Sequence, residues 1–331
     1  MKVGLAVGGM PARAVTDLAQ QAEKTGIDSL WFYEMLGRDA ITLASAAALA
    51  TNSIRLGTGL LSLPIRTPTL TAMTAASLDE ISNGRFLLGL GVSYEQALRR
   101  RHGIVSDRPF TRLKEYIDIV RGIVASEEFS YQGRIFQLDK FTLGYETTRK
   151  RIPIFVGAHN PKMLEFAGEY ADGVLLNVVT KEEMSGFMKH LEAGARRAGR
   201  SLEQIEVASY FNVCAAKEES VRNAELRSRA VLFLAMPHII ARLKQTKFAT
   251  EAEAVEKLFR QGRQNEIAHM LSDQMIDELC ISESPKSILD TIERYRNLGI
   301  SLPILFPTPI NGDVSAGYRE ILSLFQVNSL P

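Results

Sequence analysis

The sequence predicts a TIM (β/α)8 barrel with insertions after the fourth and seventh strands. Three observations carry that reading. Eight short apolar runs alternate with longer amphipathic ones, which indicates parallel βαβ units rather than hairpins. The strand runs are continuously apolar, as in a sheet whose outer face is covered by helices. Eight such units fit within 331 residues without a linker or a break in composition. That favours a closed barrel over a doubly wound open sheet, and residues 1–331 are read as a single domain.

Each element has its own signal. The first strand, 3–8, leads into a helical run over 12–26, in which Ala14, Leu18 and Ala22 recur at helical spacing and Gly26 is the stop. The second strand, 29–34, precedes a helix over 39–51 with Asp39 as its N-cap. Strand 54–62 precedes a helix over 67–84 that again ends in glycine, and 86–92 is the fourth strand. Strands 152–158 and 173–179 are each followed by a helix, over 161–171 and 182–199; strands 205–216 and 300–308 complete the set. Two intervals are too long for simple crossovers. Residues 93–151 hold a helix at 108–126 and a small extended excursion at 129–143, while 217–284 is helix-rich. A barrel carries its chemistry on the loops after its strands. Both intervals are therefore candidate substrate walls, and 217–284 is a candidate lid, with a structural role at a dimer or barrel edge equally open.

Composition excludes several classes. The chain is 46% hydrophobic and 23% charged, with 39 basic and 38 acidic residues and a net charge of +1. No basic stripe interleaved with aromatics suggests nucleic acid; the densest basic run, 98–103, reads as a solvated helix end or loop. The start runs straight into a strand without a leader pattern, and no apolar stretch reaches the about eighteen residues of a membrane helix. Cys214 and Cys280 form no CxxC pair, and histidines 102, 159, 190, 238 and 269 show no metal spacing. The expectation is a cytoplasmic, reduced protein without structural metal, nucleic acid or membrane partner. The absence of GxSxG, HExxH and Walker motifs leaves hydrolase and NTPase chemistry without support.

The candidate functional residues lie at strand ends. Gly89 and Gly91 share one face of the fourth strand, so a flat ring or a neighbouring backbone can approach closely. Gly57 and Gly59 interrupt the third strand ahead of Ser62, where a bulge or strained peptide is expected. In the stretch 152–177, a strand ends in Gly157 and Ala158, passes His159, and opens into a helix capped by Asn160 with Pro161 at its first position. Such a turn suits a phosphate, or is an ordinary strand-to-helix turn. Ser93, Tyr94, Asn177 and Asn212 add polar groups to the rim. Glu34 is the obvious carboxylate there, either tuning a proton transfer or pairing with Arg38. Asp79 and Arg85 read as a structural ion pair.

Taken in order, residues 37–40, 54–61, 77–93 and 161–177 resemble the bacterial luciferase-like superfamily, and especially its coenzyme F-420-dependent branch near methylenetetrahydromethanopterin reductase. The resemblance spans most of residues 1–215 and fades over 217–299. It implies a TIM-like barrel, usually dimeric, holding a flavin or deazaflavin at the C-terminal mouth. It implies a cis peptide at Gly59–Leu60 behind the ring, with Ser62 just beyond. Cofactor phosphate falls to Gly157, Ala158, His159 and Asn160, with Asn177 at the adjoining strand end, and Gly91 and Ser93 match ring or ribityl contacts. Glu34 falls where relatives place an acidic residue or histidine, and is the candidate catalytic residue. His159 and Asn160 depart from the glycine or glutamine common in relatives.

The function this implies is an F-420-dependent oxidoreductase that moves a hydride between the cofactor and a C=N, C=C or C=O carbon of a small organic substrate. An FMN-dependent monooxygenase served by a partner flavin reductase is the alternative, and a non-catalytic flavin-binding protein is the third reading.

Overall fold

The computed structural model describes residues 2–34 and 38–326. Gly37 of the 37–40 motif and the ends of the 1–331 span lie outside the described residues. In chain order the strands are β1 (Gly4–Val7), β2 (Ser29–Phe32), β3 (Arg55–Thr58), β4 (Leu61–Ser62), β5 (Phe86–Gly91), β6 (Phe129–Gln132), β7 (Gln137–Phe141), β8 (Ile154–Gly157), β9 (Gly173–Asn177), β10 (Glu206–Val213), β11 (Cys280–Ile281) and β12 (Leu302–Pro307). The helices are α1 (Ala14–Lys24), α2 (Ala40–Ala50), α3 (Pro68–Ile81), α4 (Glu95–His102), α5 (Pro109–Ala125), α6 (Pro161–Tyr170) and α7 (Lys181–Arg197). They continue with α8 (Glu219–Leu234), α9 (Pro237–Leu243), α10 (Ala249–Arg260), α11 (Ile267–Met270), α12 (Asp273–Leu279), α13 (Ile288–Arg296) and α14 (Val314–Gln326). Among the described residues, the eight predicted strands are all present as β1, β2, β3, β5, β8, β9, β10 and β12. The fold is a TIM (β/α)8 barrel.

Two compact units make up the described chain. The first holds residues 11–175 and 189–206. Its strands pair in parallel in the order β2, β3, β5, β8, β9. The register sets large side chains opposite glycines: Trp31 faces Gly57, and Phe155 faces Gly173. A Cβ at Gly57 would lie 2.6 Å from the Trp31 ring, and one at Gly173 would lie 2.3 Å from Phe155. The two rings meet edge-on at 5.1 Å, and the indole N–H of Trp31 donates to Ser29 Oγ at 2.9 Å. A buried indole thereby keeps its hydrogen bond while its neighbours supply the space that close packing demands.

The excursion at 129–143 is an antiparallel hairpin of β6 and β7. Its turn is fixed by Glu115 on α5, whose carboxylate accepts the N–H groups of Arg134, Ile135 and Phe136 at 2.7–3.0 Å. The basic run at 98–103 is the C-terminal end of α4, closed by Gly103 in the left-handed region. The expected pairing of Asp79 with Arg85 is not found. Asp79, 1% exposed on α3, is paired instead with Arg149, which donates from Nε at 3.0 and 3.1 Å. Arg85 turns to the C-terminal carbonyls of α2, donating to Ala48 and Thr51 at 3.0 and 2.9 Å. Those carbonyls have no intrahelical partner, so a guanidinium there satisfies a need that Asp79 does not have.

The second unit holds residues 2–10, 176–188 and 207–326. Its parallel strands run in the order β11, β10, β12, β1. The helices between β10 and β11 close over their own core, in which Phe233, Ile239, Leu243, Val255 and Met275 are buried with Cys214 of the strand end. The stretch 217–284 is thus a packed helical layer. Cys214 and Cys280 are both buried and unpaired. Among the described residues no helix is long and apolar enough to cross a membrane, and no cluster of His, Cys, Asp or Glu has metal-binding geometry.

Candidate active site

The site begins where β3 gives way to β4. The Gly59–Leu60 peptide between them is cis, as the resemblance implied. Gly59 N–H donates to the Phe32 carbonyl at 2.6 Å, and Ser62 sits in register with Gly91 on β5. Thr58 Oγ accepts Gly89 N–H at 2.8 Å and donates to the Gly89 carbonyl at 3.1 Å. Gly89 is glycine for a steric reason, since a Cβ there would stand 1.8 Å from the Thr58 carbonyl oxygen.

Three bare positions surround the Leu60 side chain. A Cβ on Gly89 or Gly91 would come within 3.0 Å of its methyl groups, and one on Gly157 within 2.3 Å of Cδ1. Gly91 on β5 and Gly157 ending β8 therefore let a leucine lie against bare strand backbone, and Gly89 does so while also sparing the Thr58 carbonyl. The space beside Gly157 is filled by the Leu60 side chain.

Polar groups border this floor. Ser62 and Ser93 join hydroxyl to hydroxyl at 2.5 Å, with Ser93 at a φ of 60°. The Tyr94 hydroxyl is 3.5 Å from Nε2 of His159. Asn160 caps α6 as expected, its Oδ1 accepting Met163 N–H at 2.9 Å, and Leu164 N–H donates to the Asn160 carbonyl at 3.0 Å. Since Pro161 has no N–H, the cap leaves the Lys162 amide as the first-turn donor it does not engage. The turn offers fewer donors than its sequence suggests. Ala158 is 1% exposed, and its N–H is committed to the Leu175 carbonyl at 3.3 Å.

Glu34 follows the end of β2, and its partner is Arg66 rather than Arg38. Arg66 Nη2 donates to Glu34 Oε1 and to Asp39 Oδ2, both at 2.7 Å. Burial opposes the Arg66 charge, but the two carboxylates outweigh it and raise its pKa. Burial also works against the Asp39 carboxylate, yet hydrogen bonds from Thr42 and the nearby Arg66 hold it below the usual range. Tyr116 steadies the segment from behind, its hydroxyl lying 3.3 and 3.2 Å from the Arg66 and Thr67 carbonyls and 2.5 Å from Thr71 Oγ1. Burial pushes that phenol up to about 12, so it remains a donor. Among the described residues, Glu34 Oε2 and Arg66 Nε, two buried atoms of the cluster, have no hydrogen-bond partner. Natively buried polar atoms are rarely left so. An acceptor and a donor in one cluster fit a polar ligand group or a bridging water.

The structure brings Glu34, Gly59, Leu60, Ser62, Gly91, Ser93, Gly157, Ala158, His159 and Asn160 into the first unit, at the C-terminal ends of β2, β3, β5 and β8. Asn177 ends β9 and belongs to the second unit. Asn212, 3% exposed on β10, accepts from Arg229 Nε at 2.7 Å. Arg66 and Tyr116 were missed because nothing in their local sequence sets them apart.

A barrel with a glycine-backed floor and a paired carboxylate at its strand ends defines a class, the TIM-barrel proteins that take a ligand at the C-terminal face. The sequence profile of the luciferase-like monooxygenases matches residues 2–302, and the chain belongs to that family. It is 30% identical to a 5,10-methylenetetrahydromethanopterin reductase of Methanolobus tindarius, over 88% of this chain and 89% of that one. Among solved structures, the coenzyme F-420-dependent tetrahydromethanopterin reductase of Methanopyrus kandleri superposes with a TM-score of 0.83 at 22% identity, covering 98% of both chains. The oxygenating constituent of 3,6-diketocamphane monooxygenase of Pseudomonas putida, in complex with FMN, gives 0.70 at 19% identity, covering 98% of this chain and 96% of that one.

Proposed function

We propose that this protein is a coenzyme F-420-dependent oxidoreductase acting on a small organic substrate with a reducible C=N, C=C or C=O bond. The observation that carries the reading is the floor of Gly89, Gly91 and Gly157 behind Leu60. It recesses a side chain at the strand ends where the resemblance places the ring of a deazaflavin, and the similarity to reductases of that cofactor supports it. When bound, the reduced cofactor supplies a hydride to an electrophilic carbon. The protein's part is to position and to exclude water.

Leu60 and the glycines give the ring an apolar wall. Ser62 and Ser93 offer hydroxyls to its polar edge, and the turn of Ala158, His159 and Asn160, with the Lys162 amide, receives the phosphate. Arg66 holds Glu34 by Oε1, leaving Oε2 to relay the proton that the substrate takes up once hydride has added to its carbon. The resemblance also assigns Asn177, at the end of β9, to the cofactor. The apolar side chains left exposed on α2 and α3, Leu49, Leu70, Met73 and Ile81, support a homodimer through those helices. The two unpaired cysteines accord with a cytoplasmic location.

Paired titrations of the purified apoprotein with F-420 and with FMN, followed by cofactor fluorescence, test this. Binding of F-420 in preference to FMN is expected. Preference for FMN makes the protein a monooxygenase that draws reduced flavin from a partner reductase, and binding of neither overturns both readings. Glu34→Gln is expected to leave F-420 affinity within about twofold while lowering turnover with any accepted substrate by about a hundredfold.

A further inference from the structure

The turn after β9, within the second unit, has an uncommon backbone. Val178 has a φ of 51° and is 1% exposed. A β-branched residue in that region is an outlier that persists only where its surroundings over-determine it. Here the surroundings come from the helical layer of residues 217–284. Arg242 on α9 donates from Nη2 to the Val178 carbonyl. It also donates from Nε and Nη2 to the two carboxylate oxygens of Glu183 at 2.7 and 3.1 Å. Glu183 in turn accepts from Thr180 N–H and Oγ at 2.9 and 3.0 Å. A second contact reaches the same turn from α12, where Glu278 Oε1 accepts Lys181 N–H at 2.7 Å. The Arg242 and Glu183 side chains are only 12% and 11% exposed, so water and salt screen the pair little.

We propose that Arg242 is a positioning residue for cofactor binding. With Glu278 it holds residues 178–181 in the one conformation that sets Asn177 at the strand end. The helical layer is then a brace for the barrel rim rather than a lid. The Asn177 role rests on the proposed function; the brace itself does not.

The test combines fluorescence titration of the full chain, using F-420 and FMN as probes, with amide hydrogen exchange over residues 176–183. Arg242→Met is expected to weaken F-420 binding and to speed exchange in that segment, each about tenfold. Arg242→Lys should recover part of both. Adding Val178→Gly to Arg242→Met should recover binding, because glycine adopts the same backbone without the steric cost. Glu278→Gln should move both readouts the same way by a smaller factor. A folded Arg242→Met protein with unchanged exchange overturns the brace, and raised exchange with unchanged affinity overturns the positioning role. Should Arg242→Met not fold, Arg242→Lys and Glu278→Gln decide: unchanged exchange and affinity in both overturns the proposal. If the unaltered protein binds neither cofactor, the functional reading fails, and the exchange comparison still decides whether Arg242 holds the turn.

Discussion

The rim around β3, β5 and β8 and the rim after β9 are built by opposite means. The first is shaped by subtraction: glycines at 89, 91 and 157 remove side chains so that Leu60 can lie flat. The second is shaped by charge, with Arg242, Glu183 and Glu278 holding a turn whose Val178 sits outside the usual backbone regions. Subtraction tolerates no added atom but is indifferent to pH and salt. A charged clamp tolerates changes of shape but not the loss of a partner, because a lone buried charge costs more than the pair contributes.

The largest expected effect comes from breaking the clamp. Glu183→Ala strands Arg242 and should lower stability by about 4 kcal/mol, measured by urea denaturation. A loss well under 1 kcal/mol would place this pair with ordinary surface ion pairs. Next is Gly89→Ala, whose Cβ would meet the Thr58 carbonyl at 1.8 Å. Backbone cannot give way as a side chain can, so about 3 kcal/mol is expected, the upper end of overpacking costs. Gly157→Ala meets only a flexible leucine, and should cost about 1 kcal/mol while weakening F-420 binding severalfold. Leu60→Ala added to it should relieve the clash. If the double variant is no more stable than the sum of the two single effects predicts, Gly157 does not act through Leu60.

The smallest effect belongs to a clamp of the second kind placed near solvent. Glu23 accepts the N–H groups of Asn52, Ser53 and Ile54 at 2.6–3.0 Å. Partial burial opposes its charge, but those amides prevail and lower its pKa from 4.5 to about 2. A carboxylate whose folded pKa is depressed contributes stability that is full above its unfolded value and is lost as pH falls through the folded one. The contribution of Glu23 should therefore fade between pH 4.5 and about 2. Melting temperatures of Glu23→Gln should fall less steeply across that window than those of the unaltered protein.

These two kinds of construction differ in how far the sequence discloses them. The eight strands, the Asp39 and Asn160 caps and the glycine alternation of β5 are local patterns, and each was readable in place. The Leu60 floor was half readable: the glycines stood out, but not the side chain they accommodate. The charged partners were not readable. Arg66 and Glu34 are 32 positions apart, Arg242 and Glu183 59, and Glu278 and Lys181 97, and a single charge carries no sign of its distant partner. The same limit misassigned Asp79 to Arg85, the nearer arginine, when Arg149 holds it. One signal of the second rim was local and went unread: Thr180 and Glu183 bond reciprocally as a capping box at the start of α7.

The most direct test of the functional account is hydrogen exchange of the unaltered protein with and without F-420. Protection is expected at residues 57–63, 88–94 and 157–164, with a smaller change at 176–181. Protection confined to the helical layer of 217–284, or none at all with F-420 in large excess, would contradict the placement of the cofactor on the glycine floor.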